Sequence, residues 1–241
     1  MIQNVPKRLF RKIISRFFIP DIQFSYSQFG EDIIIASLFY QLGIHKPTYL
    51  DIGANEPRFI SNTYYFYEHG GGGVCVEPNP FLCKKIKKAR PRDIVINEGI
   101  GVDDKETANF FLFPNYANGL STFSEKEARH WEEVGMQGIG KIKPEKIIQM
   151  RLININTIFR DYCSVIPDLL SIDVEGLDFA ILKSIDYEKY KPKIICAETL
   201  LYDDKQKGYK NQEISQFLQS KNYSIYADTR VNTIFCLNEF I

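Results

Sequence analysis

The chain reads as one α/β domain built on a mostly parallel sheet with helices on both faces. Three observations predict this. Apolar runs of strand length alternate with helix-length patterns, which implies right-handed crossovers. The runs "TYLDIG", "GGVCVEP" and "PDLLSIDVEG" are apolar enough for strands covered on both faces. Finally, 241 residues, 44% hydrophobic and 25% charged, suffice for one substantial core and are too few for two comfortable domains.

In chain order, "GEDIIIASLFYQLGI" predicts a helix with Glu31 and Asp32 acidic in its first turn, and "TYLDIG" a short strand. "ISNTYYFYEHG" continues as a helix, "GGVCVEP" as a strand, "PFLCKKIKKA" as a helix and "DIVINEGIG" as a third strand. The run Gly70 to Gly73 precedes a strand and does not open a helix, so it reads as a helix stop and turn. The rhythm then breaks: "KETANFFLFP" looks antiparallel, and residues 115–146 form a polar, glycine-bearing insert with the only tryptophan, Trp131. "KIIQMRLIN" resumes as a strand, followed by the buried strand "PDLLSIDVEG", the helix "LDFAILKSI" and the strand "PKIICAET". "NQEISQFLQSKN" is the last helix, before two terminal strands, "YSIYAD" and "TIFCLN". No repeat or linker divides residues 23–241.

Lys plus Arg equals Asp plus Glu at 30 each, so no global field attracts nucleic acid, and none is expected as a partner. Five cysteines form no CxxC pair and read as buried thiols in a reducing, cytoplasmic compartment. No run approaches the roughly 20 apolar residues of a membrane span, and no signal peptide is evident. Residues 1–22 form a basic amphipathic arm: Lys7, Arg8, Arg11, Lys12 and Arg16 interleave with Leu9, Phe10, Ile13, Ile14, Phe17 and Phe18 between prolines. Such a stripe packs on the domain or a second subunit, or lies on the inner face of an anionic membrane.

The segment "YLDIGANEPRFISNT" has one glycine where a pyrophosphate turn would have several, and carboxylates at Asp51 and Glu56 that would repel a doubly anionic group. The turn suits a cationic or neutral ligand. S-adenosylmethionine, with a sulfonium, an ammonium and a ribose, meets that description: Gly53 allows close backbone approach, Asp51 supplies an acid, and Glu77, closing the next strand, can accept both ribose hydroxyls. Asp51 as a turn former or helix cap is the competing explanation.

"SQFGED", "YLDIGANEP", "SNTYYFYE", "VEPNP" and "SIDVEGLDFAILKS", in that order from Ser27 onward, resemble the FkbM-type S-adenosylmethionine-dependent methyltransferases. The resemblance implies a class I methyltransferase fold, Rossmann-like, with a seven-stranded sheet whose last strand is antiparallel. It implies O-methylation of sugars, polysaccharide precursors or natural-product hydroxyls, and places Gln28 and Asn55 with Asp51, Gly53, Glu77 and Asp173 in the cofactor set. The acceptor is then a small molecule or glycan, including a nucleotide-linked sugar. N-methylation of an amine or amide, and a non-catalytic adenosyl-fold module, are the alternatives.

A sugar hydroxyl needs a general base or a metal. Asp173, ending the strand expected beside the first, is the leading base, with Glu175 two residues on; capping of the following helix competes. Glu198 ends the next strand, where it would bind acceptor or join Asp173, with Asp203 or Asp204 nearby, in a Mg2+ site. In the insert, His130 is a further catalytic candidate, and Arg129 and Trp131 suit phosphate contact and stacking on a sugar. Asn118, Ser121 and Thr122 would orient the acceptor or form a turn. Ser27, Gln28, Glu31 and Asp32 read as a polar lid, or as a capped helix start.

Overall fold

The computed structural model describes residues 23–135, 140–174, 176–202 and 208–241. The basic arm of residues 1–22, Glu175, Asp203 and Asp204 lie outside them.

The central sheet has seven strands in the order β11-β12-β8-β7-β1-β2-β3. Its first half is built from β1 (Thr48–Ile52), β2 (Gly72–Val76) and β3 (Ile94–Ile96), all parallel. Between them lie α2 (Tyr64–Glu68) and α3 (Pro80–Ala89), while α1 (Glu31–Gln41) precedes β1. The second half returns to the other side of β1 with β7 (Leu169–Ile172), then β8 (Ile194–Glu198), both parallel to it. The helix α6 (Asp178–Ser184) links those two strands. The helix α7 (Gln212–Ser220) leads to β11 (Tyr223–Asp228), and β12 (Asn232–Leu237) inserts antiparallel between β11 and β8. Strand order therefore reverses between β1 and β7, which makes their carboxyl ends the switch point where ligands bind in such sheets.

Period-two alternation divides each strand between two cores. Leu50, Ile52, Val74, Val76, Leu170, Ile172, Ile195, Ala197 and Phe235 face α6, α7 and a short helix α5 (Ile155–Asp161). Tyr49, Cys75, Leu169, Ile194, Cys196, Ile234 and Cys236 face α1, α2 and α3. Four of the five cysteines are buried free thiols, as the sequence implied.

The structure departs from the sequence expectations in three places. "DIVINEGIG" is two strands, because β4 (Gly99–Gly101) leaves the main sheet to pair with β6 (Lys146–Asn154). With β5 (Thr107–Leu112), antiparallel to β6, they form a separate three-stranded sheet; Gly99 permits it, since a Cβ there would sit 2.3 Å from the Phe123 ring. The helix α5 and a hairpin of β9 (Leu200–Tyr202) and β10 (Gly208–Lys210) were not anticipated. Both are short and carry weak periodicity. Within the insert lie a 3-10 turn at Asn115–Leu120 and α4 (Glu125–Glu133). At the end of α2, Gly70 (φ 96°) stops the helix as expected. Among the described residues no helix is long and apolar enough to cross a membrane.

Candidate active site

At the end of β1 the chain turns through Gly53 (φ 80°) and Asn55 (φ 47°). A Cβ on Gly53 would lie 1.9 Å from the Asp173 carbonyl oxygen. The glycine is thus required by the neighbouring strand end, a protein contact where the sequence suggested only a ligand. The turn is tied to β2 through Glu77: Oε2 accepts from the Asn55 N–H at 2.8 Å and Oε1 from the Asn79 N–H at 2.7 Å. These bonds use two of the roughly four lone-pair sites of a carboxylate, leaving capacity for two further donors. Burial pushes the Glu77 carboxyl up to about 7; the two backbone N–H groups oppose this, and Asp51 and Glu56 add to it. The Asn55 Oδ1 is buried with no partner among the described residues. Glu56, just past the turn, is neutralised by Lys85 and accepts from Asn118 Nδ2 at 3.4 Å. The insert therefore reaches the turn through Asn118.

Asp51 lies deeper. Its Oδ2 accepts the Thr63 hydroxyl and stands 3.8 Å from Arg90 Nη1. Arg90 is fully buried; Nη2 donates to Thr63 Oγ1 at 2.9 Å and Nε to Asp93 at 2.7 Å, while Tyr49 donates to Asp93 at 2.8 Å. Burial raises Asp51 and Arg90 opposes that shift. This polar network beneath the turn was invisible in the sequence, because it joins Asp51, Thr63, Arg90 and Asp93 across distant stretches of the chain.

On the other side of the switch point, Asp173 follows β7, beside β1 as expected. It lies within hydrogen-bonding reach of the Glu198 carboxyl. Burial pushes Asp173 up to about 6; the Glu198 bond opposes the shift, and Asp51 and Glu31 reinforce it. Asp178 gathers the N–H groups of Val174 and Gly176 at 3.2 and 3.3 Å and holds the loop after β7; burial, then repulsion by Asp173, raises it to about 7. Among the described residues no three His, Cys, Asp or Glu groups are placed to hold a metal ion.

The methyltransferase FkbM domain family matches residues 51–225, most of the chain and all the strand ends just described. The chain belongs to this family. It is an S-adenosylmethionine-dependent methyltransferase of class I fold, and its seven-stranded order with one antiparallel strand is the order the resemblance implied. Solved structures with a similar course include 1,6-didemethyltoxoflavin-N1-methyltransferase from Burkholderia thailandensis (12% identity, 96% of this chain and 89% of that one, TM-score 0.41). An S-adenosylmethionine-dependent methyltransferase from Clostridium acetobutylicum (8%, 96% and 98%, 0.43) and an O-methyltransferase from Bacillus cereus (11%, 93% and 93%, 0.43) are also similar. No curated protein sequence matches. The family assignment rests on the domain match.

The remaining candidates of this FkbM-family methyltransferase are dispersed. Glu31 and Asp32 start α1, with Ser27 four residues before it, and the acids form no exposed lid, being fully buried. Ser27 Oγ accepts from the N–H of Gly30 and Asp32, and Asp32 accepts from Ser25, Ser27 and the Tyr26 N–H. The capping alternative describes them. Gln28 is exposed beside that cap. Ser121 Oγ accepts from the Phe113 N–H, and Thr122 Oγ1 from the Ser124 N–H, so both serve the insert's own turn. Trp131 packs against the insert's small core of Phe113, Ala117, Leu120, Ala128 and Ile142. Arg129 pairs with Glu125 and, with His130, lines an outer groove of α4 that includes none of the strand-end acids. The helix meets the loop after β7 through Glu127, 3.9 Å from where a Gly176 Cβ would lie.

Proposed function

We propose that this methyltransferase O-methylates a sugar hydroxyl of a nucleotide-sugar, surface polysaccharide or related glycoside, with Asp173 as the base. The observation that carries this reading is the pair of carboxyls, Asp173 and Glu198, at the β1/β7 switch point, a proton acceptor of the kind a hydroxyl needs.

The residues at the β1 and β2 ends fit the cofactor. The partnerless Asn55 Oδ1 offers an acceptor to its ammonium, Glu77 keeps acceptor capacity for ribose hydroxyls, and Lys85 neutralises Glu56 near the entrance. When bound, S-adenosylmethionine supplies a methyl group on a sulfonium. Asp51, held by Thr63 and Arg90, fixes the turn from below. Asp173, beside Glu198, takes the proton of the acceptor O–H as that oxygen takes the methyl group, and becomes neutral in doing so. Both residues are half-buried, and holding the acceptor oxygen against them in line with the methyl group favours the transfer.

The insert of residues 115–146, which touches the cofactor turn through Asn118 and the β7 loop through Glu127, is assigned to the acceptor side. Arg129 and His130 in its outer groove are placed at the distal end of a long acceptor. The arm of residues 1–22 is assigned to a second subunit or to the inner membrane face, for a protein working in the cytoplasm. Incubation with labelled S-adenosylmethionine and a panel of nucleotide-sugars, glycan fragments and amines tests the reading: label in an alkali-stable sugar ether supports it, and label only in amines overturns it.

A further inference from the structure

The carboxyl end of the sheet holds a polar atom that the fold leaves without a partner. Asn232 opens β12 and is 3% exposed, yet its Oδ1 makes no hydrogen bond among the described residues. Its Nδ2 donates to Glu31 Oε1 at 3.1 Å, an oxygen that also accepts from Thr229 Oγ1 at 2.6 Å. Turning the amide round would set two acceptors together, so the carbonyl's direction is determined. Asn232 stands opposite Glu198 in the β12–β8 pair, and directly opposed residues of an antiparallel pair project to the same face. Glu198 in turn lies within hydrogen-bonding reach of Asp173.

Glu31 and Asn232 therefore set acceptors on the face that the cross-strand position of Glu198 shares, and a buried carbonyl oxygen beside an acceptor calls for a donor. Glu31 is ionised: burial raises its carboxyl, but the bonds from Thr229, Asn232 and the backbone leave it below the ordinary value. The cation of β10, Lys210, serves the opposite face, bonding Thr199 and Thr233 at 2.9 and 3.3 Å and Asp228 at 2.8 Å.

We infer that Asn232 Oδ1, flanked by Glu31 and Glu198, forms a subsite for the molecule being methylated, one that receives hydroxyls or an ammonium and rejects a carboxylate. The inference rests on the proposed function and narrows its acceptor: the part lying under β12 is a neutral polyol or an amino sugar, and not an acidic sugar. The antiparallel strand thereby contributes to substrate choice.

The test titrates full-length protein, saturated with S-adenosylhomocysteine, with glucosamine, glucose and glucuronate under saturation-transfer NMR. Glucosamine and glucose are expected to bind, and glucuronate at least about tenfold more weakly. Asn232→Leu is expected to weaken glucose by about tenfold, leaving S-adenosylhomocysteine affinity within about twofold. Asn232→Ser, which also removes the carbonyl, serves where the leucine variant does not fold. Glucuronate binding as well as glucose, unchanged glucose binding in a folded variant, or a loaded protein that takes none of the three sugars overturns the inference. A wild-type protein that binds no S-adenosylhomocysteine is a separate failure, because it removes the proposed function itself.

Discussion

Replacing Glu77 with glutamine perturbs one atom whose surroundings are fully specified. The carboxylate accepts from two backbone N–H groups on different segments, Asn55 at 2.8 Å and Asn79 at 2.7 Å. The amide keeps one acceptor oxygen, so its NH2 must face one of those N–H groups, donor against donor. One buried N–H loses its partner, at a cost of about 1–3 kcal/mol, which for a domain of this size lowers Tm by roughly 2–10 °C. On the ligand side, one charge-assisted bond to a ribose hydroxyl disappears and the other weakens. That loss is worth about 1.5–3 kcal/mol, or roughly 10- to 150-fold in Kd. Calorimetric titration with S-adenosylhomocysteine measures the second effect and thermal unfolding of the free protein the first. A folded Glu77→Gln protein with unchanged affinity would refute the assignment of Glu77 to the ribose, whatever its Tm.

Asp173→Asn is expected to lower kcat by roughly 10²- to 10⁴-fold with cofactor affinity little changed, and a chelator to leave wild-type turnover intact; chelator inhibition reversed by Mg2+ would instead assign the acids to a metal. In the wild type, kcat/KM should climb as pH rises through about 6, where burial has moved Asp173, and a flat profile from pH 5 to 8 would count against a titrating base. Stability should run the other way. Glu77, Asp173 and Asp178 all have folded values raised above their ordinary ones, to about 7, 6 and 7, so between about pH 4 and 7 the native state binds more protons than the unfolded chain. Tm of the ligand-free protein is therefore expected to fall from pH 5 to 7.5, and a rise would contradict the burial of these groups. Deleting residues 1–20 is expected to leave cofactor affinity unchanged while altering either mass in solution or binding to anionic vesicles; loss of cofactor affinity would tie the arm to the site.

Where the sequence was legible, local chemistry and burial agreed. The runs "TYLDIG" and "GGVCVEP" are apolar because both faces of β1 and β2 are covered, and their terminal acids mark the edge that ligands approach. The pairing of β7 with β1, and hence the placing of Asp173 at the switch point, followed from the α/β rhythm. What stayed hidden depends on contacts far apart in the chain. Asn232 meets Glu31 across 201 positions, and Thr63, Arg90 and Asp93 form a buried network from residues that look like a turn and a charged helix end. The insert's "RHW" is divided by helical geometry, which sequence adjacency does not show: Trp131 goes to the insert's core and Arg129 to its outer groove.

The contact between Gly53 and the Asp173 carbonyl has a bearing on how this enzyme could diversify. There is no room for even a methyl group between the two strand ends, so the turn assigned to the methyl donor and the residue assigned to the base are packed backbone against backbone. Their alignment is inherited from backbone packing and does not have to be re-established whenever the acceptor changes. Residues 115–146 and the start of β12 can drift to suit a new acceptor while that alignment is preserved. Substitutions that broaden or redirect acceptor choice should therefore accumulate there, and directed evolution aimed at those two segments should recover new specificities without first losing turnover.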